Sequence, residues 1–102
     1  MPGLYPERVE RKIDYALMNR EYPKLKAALT RAENRDDPVA VMRACERFVK
    51  VSAEVGCMPD DWSRWRNALE DAWNRFLRSE NHYDDRPQII DRFRAVACHF
   101  DY

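Results

Sequence analysis

The sequence predicts an all-α fold, a compact bundle of about five helices forming a single helical domain over residues 1–102, and three observations carry that prediction. Apolar residues recur with helical spacing along most of the chain. Prolines and acidic residues fall together at the points where helices would begin. No stretch alternates apolar and polar residues as a half-buried strand does. A chain of 102 residues can build one core without disulfides or a structural metal, and is too short for two.

Proline is tolerated in the first turn of a helix, where its missing N–H would have no partner anyway, so Pro6, Pro23, Pro38, Pro59 and Pro87 read as five starts. The expected helices cover about 6–21, 23–35, 38–55, 59–80 and 86–100. Asp36 and Asp37 precede Pro38, Asp60 and Asp61 follow Pro59, and Asp84 and Asp85 precede Pro87, which places carboxylates beside unpaired N–H groups. Asp85 and Gln88 have the spacing of a capping box.

In the first segment Val9, Ile13, Ala16 and Leu17 share a stripe. Pro23 disfavours helical dihedrals at Tyr22, so the chain should bend there and restart with Leu25, Ala28, Leu29 and Ala32 inward. Segment 38–55 keeps its charges on one side and spreads Val41, Met42, Ala44, Cys45, Phe48, Val49, Val51 and Val55 over half the circumference, the pattern of a central helix. Gly56 supplies a left-handed cap. Segment 59–80 aligns Trp62, Trp65, Leu69, Ala72, Trp73, Phe76 and Leu77 with only Arg66 interrupting, and 86–100 turns Ile89, Ile90, Phe93, Val96, Ala97 and Phe100 inward. Three Trp on the main apolar face read as core rather than as a partner surface, with Trp62 in the first turn left open between core and interface, and removing Trp73 from a core would cost about 3–5 kcal/mol.

Balanced charge removes the usual electrostatic reason to expect generic polyanion binding, and leaves local patches open. Eighteen Lys and Arg balance eighteen Asp and Glu, so there is no overall excess of cations to release counterions from nucleic acid or an anionic membrane. Apolar runs are only a few residues long, and Met1 to Pro6 lack a basic-then-apolar leader pattern, so the expectation is a cytoplasmic protein with no membrane span. Three cysteines without CxxC spacing read as reduced thiols.

No metal, cofactor or catalytic residue is assigned. Cys45, Cys57, Cys98, His82 and His99 lack the tight pairing that aims ligands at one point; Cys98 and His99 are adjacent, and adjacent helical residues diverge by about 100°. No GxSxG, HExxH, SxxK or Gly-rich phosphate loop occurs, and helix capping accounts for the acidic pairs.

Two surfaces remain as candidates. Tyr15, Met18 and Tyr22 fall at i, i+3 and i+7, nearly opposite Val9, Ile13 and Leu17, and form a second apolar edge suited to a partner; alternatively Met18 and Tyr22 fold back under the Pro23 bend and cover the next helix. Arg20, Lys24, Lys26, Arg31 and Arg35 form a basic cluster that could meet nucleic acid or an acidic protein. A helix-turn-helix is disfavoured, because the connection Asn34 to Asp37 lacks glycine and Glu46 and Glu54 would face phosphates. The expected function is therefore non-enzymatic binding of another protein, as adaptor, regulator or inhibitor, with homodimerisation open. A virus or mobile element could encode such a chain to occupy a host protein's surface. The alternative is a nucleic-acid-binding regulator using the basic cluster.

Overall fold

The computed structural model describes residues 13–79 and 85–100, which form four helices and no strand: α1 (Tyr15–Asn34), α2 (Pro38–Val55), α3 (Trp62–Arg78) and α4 (Arg86–Ala97). The fold class is all-α. Helix α2 packs against each of the other three, α3 also touches α4, and one apolar core runs between them.

Helix α1 corrects the expected division at Pro23. The predicted helices 6–21 and 23–35 are replaced, within the described residues, by one helix that opens at Tyr15 and passes through Pro23. It begins there because the Asp14 carboxylate accepts the Leu17 N–H at 2.9 Å, a cap the proline pattern concealed. Val9 lies outside the described residues. Pro23 is exposed, as is Asn19, so the carbonyl left without a donor by the missing N–H can turn to water. Continuity is favoured by packing: it holds half-buried Met18 and Tyr22 in line with buried Leu25 and Leu29 against α2, against a cost of about 3 kcal/mol for a proline inside a helix.

Helix α1 ends in a turn where Asp36 takes a left-handed φ of 52° and the Asp37 N–H returns to the Ala32 carbonyl at 3.2 Å. Aspartate enters this region more readily than most residues with a Cβ, so it can stand where glycine would be usual. Asp37 then caps α2 by accepting the Ala40 N–H at 3.1 Å, with Pro38 in the first turn. The far ends of the pair are joined by the Asp14 N–H donating to the Val55 carbonyl at 2.9 Å. Gly56, at φ 103°, closes α2 as its sequence position implied.

The later acidic pairs differ from the expectation. Pro59 lies outside α3, its carbonyl accepting the Trp62 N–H in a turn at 3.1 Å. Asp61 and Asp85 occupy N-cap positions, yet neither side chain makes a capping hydrogen bond, so Asp85 and Gln88 do not build the expected capping box. The Asp61 carboxylate is instead used by Tyr22 across the molecule. Helix α4 stops at Ala97 and residues 98–100 continue as a turn that brings Phe100 back to the core.

Phe48 of α2 is the hub. Its ring stacks on Trp65 of α3 at 4.4 Å, lies parallel to Phe100 at 6.1 Å and meets Tyr22 of α1 at 6.2 Å, so aromatic groups from α1, α3 and the turn after α4 converge on it. Trp65 is completely buried, whereas Trp62 and Trp73 are half-covered. The core reading therefore holds in full for Trp65 and in part for Trp73, and Trp62, left open between core and interface, is partly exposed.

Candidate functional site

The predicted Tyr15, Met18 and Tyr22 edge is corrected by the continuity of α1. Counted through Pro23, Tyr15, Met18, Tyr22, Leu25, Leu29 and Ala32 follow alternating steps of three and four residues, which is one helical stripe. That stripe is the core face. Leu25, Leu29 and Ala32 are buried, Met18 and Tyr22 are half-buried beside Val51, Ser52 and Val55 of α2, and only Tyr15 at the outer end is exposed, at 62%.

Tyr22 is committed inside the molecule. Its hydroxyl donates to the Asp61 carboxylate and accepts from the Trp65 indole Nε1–H at 3.3 Å. Burial, followed by the Asp61 hydrogen bond, pushes the phenol up to about 12 from its ordinary value of 10.0. Lys26 lies 5.4 Å from the centre of the Tyr22 ring, as a cation over an aromatic face.

That contact also separates Lys26 from the rest of the predicted basic cluster. Arg20, Lys24, Arg31 and Arg35 are exposed and share the outward side of α1, opposite the buried stripe, while Lys26 lies toward Tyr22. Glu21 accepts hydrogen bonds from Arg20 at 3.2 Å and from Lys24 at 3.4 Å, and the Arg20 contact holds its carboxyl below the usual carboxylate range. Glu21 thus offsets the N-terminal half of the cationic stripe.

Among the described residues, no group of three His, Cys, Asp or Glu side chains is placed to hold a metal ion; His82 lies outside them. His99 and Cys98 are exposed, Cys57 is half-buried, and Cys45 is buried with its thiol 3.6 Å from the Trp65 carbonyl. Burial first, and then the charges of Glu33 and Glu46, push the Cys45 thiol up to about 12.

A groove of about 400 Å³ lies between α3 and α4. The helices meet at one end, where Phe93 lies 5.3 Å from Trp73 and 5.4 Å from Phe76, and Arg86 covers the Phe76 ring at 4.7 Å. Beyond that contact they leave a trough floored by Leu69, Phe93, Ala97 and Phe100, with half-exposed Trp73 as one wall. Arg66 and Glu70 from α3 and Arg94 from α4 form its lips. On its other side α4 is joined to α2, where Arg92 clasps Glu46 through two hydrogen bonds of 2.6 and 3.1 Å.

Sequence periodicity assigned the groove's apolar residues to a single core and did not single out the groove. Two signals pointed to it: Arg66 breaks the apolar face of α3, and Arg94 flanks that of α4. Either would be an ordinary solvated charge alone; the crossing of α3 and α4 places both at the mouth of one apolar trough. No helix among the described residues is long and apolar enough to cross a membrane. Comparison with protein-family models, curated proteins and solved structures finds no match to this chain.

Proposed function

We propose that this chain is a non-enzymatic helical protein that binds another protein, acting as an adaptor, regulator or inhibitor in the cytoplasm, and that the α3/α4 groove is its binding surface. The observation that carries this reading is an apolar trough about 400 Å³ in volume with a half-exposed Trp wall and charged lips. A concave apolar floor with a few polar groups at its rim is the usual build of a recognition site, and Trp and Arg are the residues that most often dominate binding energy. The two groups with strongly raised pKa values, Tyr22 and Cys45, are both moved away from neutral pH, which disfavours proton cycling or thiolate attack by either.

Affinity capture from the native cell tests the reading when repeated with Trp73→Ala, with Ala97→Glu and with Arg31→Glu plus Arg35→Glu. Loss of the same protein in both groove variants, with retention in the α1 variant, is the expected result. An unchanged set of captured proteins in the groove variants would refute the assignment, and dimerisation through the groove would appear as a concentration-dependent mass in sedimentation.

A second reading is favoured by the exposed stripe of Arg20, Lys24, Arg31 and Arg35, which could contact a nucleic-acid backbone. Binding of this kind would weaken at least about tenfold between 50 and 200 mM salt and fall further in the Arg31→Glu, Arg35→Glu variant. Absence of binding to DNA or RNA at low salt would remove it.

A further inference from the structure

We infer that the face of the α1/α2 pair turned away from α3 holds double-stranded DNA by its phosphate backbone, without regard to sequence; this rests on the second reading above and extends it from one helix to two. Contacts fix which way each helix is turned. On α1, Tyr22 and Glu33 reach Asp61 and Arg64 of α3, and at about 100° per residue Arg31 and Arg35 fall on the opposite flank. On α2, Cys45 lies against the Trp65 carbonyl of α3, and Arg43 and Arg47 fall opposite it with Lys50 beside them. The two helices run antiparallel, tied by Asp14 to Val55 at one end and Asp37 to Ala32 at the other, so both flanks open to the same side. These five cations are exposed, and none is in an ion pair among the described residues.

Arg20 and Lys24, which share Glu21, continue the α1 row, and from Arg20 to Arg35 it runs about 22 Å, roughly two thirds of a turn of duplex DNA. The neighbouring acids do little to cancel it. Glu46 is turned to α4 and held by Arg92, Asp36 pairs with Arg75, Asp37 caps α2, and Glu54 stands at the far end, one turn beyond Lys50. Helix α2 spends the rest of its circumference on the core, so the contact is made along the backbone and the bases stay unread. Among the described residues the exposed large apolar side chains are Tyr15 and Leu77, and both lie off this face, so an acidic protein would find charge there without an anchor. Tyr22 and Phe48 face each other in the interior, leaving no ring outside on which an unpaired base would stack, which favours a double helix over a single strand. Arg and Lys meet phosphates rather than singling out a ribose 2′-hydroxyl.

Fluorescence anisotropy of the full chain with two labelled DNA duplexes of unrelated sequence, at about 50 and 200 mM salt, provides the test. The variants are Arg31→Glu with Arg35→Glu, Arg43→Glu with Arg47→Glu, and, off this face, Arg78→Glu with Arg94→Glu, which changes net charge equally; each is first checked for unchanged circular dichroism. The expected result is equal affinity for both sequences and a loss of about tenfold or more between the two salt concentrations. Each of the first two variants should lose about tenfold or more again, with a shallower salt slope, and the third about threefold or less. An α2 variant that binds like the natural chain, or tighter binding to single-stranded DNA or to an RNA duplex, would overturn the inference and leave nucleic-acid binding through α1 standing. No binding at the lower salt, an equal loss in the third variant, or displacement of the duplex by polyglutamate at equal charge would overturn the two together.

Discussion

Tyr22 shows how much of this molecule depends on single side chains whose polar ends are shared. Its hydroxyl is both donor to Asp61 and acceptor from Trp65, which joins α1 to the start and first turns of α3. Tyr22→Phe keeps the ring packing and removes both bonds, for an expected loss of about 1–2 kcal/mol in urea unfolding at pH 7. The pH dependence has a definite sign. The folded phenol titrates at about 12 and the unfolded one near 10.0, so its contribution is complete below pH 10.0 and is lost as pH climbs toward 12. Stability should therefore fall less steeply between those values in Tyr22→Phe than in the natural chain, and equal slopes would show that Tyr22 does not titrate in this way. Cys45 gives a companion prediction: a thiol reagent should modify exposed Cys98 quickly and reach buried Cys45 only at the rate of opening of the core, with mass spectrometry of timed samples as the readout. The Trp residues should separate as their burial does. Trp65→Ala should cost about 3–5 kcal/mol, whereas half-exposed Trp73→Ala should cost about 1–2 kcal/mol.

At the scale of the element, α2 was fully legible in the sequence and α1 was not, for different physical reasons. Asp37, Pro38 and Gly56 are local signals acting at the ends of α2, and its wide apolar arc already implied contact on several sides. Pro23 is also a local signal, but what it does depends on packing it cannot reveal: a donor lost on the wet side of α1 is cheaper than breaking a stripe that aligns Met18 and Tyr22 with Leu25 and Leu29 against α2. Once the chain was divided there, Tyr15, Met18 and Tyr22 looked like an extra edge, although the alternating steps of three and four lead directly from them to Leu25. Pro23→Ala provides the check. In a continuous exposed helix it should raise stability by about 1–3 kcal/mol without changing the core, whereas a true boundary between two helices would leave thermal unfolding nearly unchanged. The groove lay beyond sequence reading because no periodicity within α3 or α4 states how they cross, and Arg66 and Arg94 acquire a shared role only through that crossing.

Across the whole molecule, the exposed ion pairs Arg64 with Glu33, Arg75 with Asp36 and Arg92 with Glu46 link helices distant in sequence, yet each is worth only about 0–1 kcal/mol at such exposure. They set how the rods are seated more than whether they assemble. The Arg92 clasp joins α4 to α2 on the side away from the groove. The aromatic hub has the larger consequence for behaviour. Since Phe48 receives rings from α1, α3 and the turn after α4, no helix can leave without stripping cover from the same six-carbon plate. Melting followed by backbone ellipticity and by near-ultraviolet aromatic signals should then trace a single superimposable curve, and a chain shortened to lack Phe100 should lose its all-or-none transition rather than merely shift it.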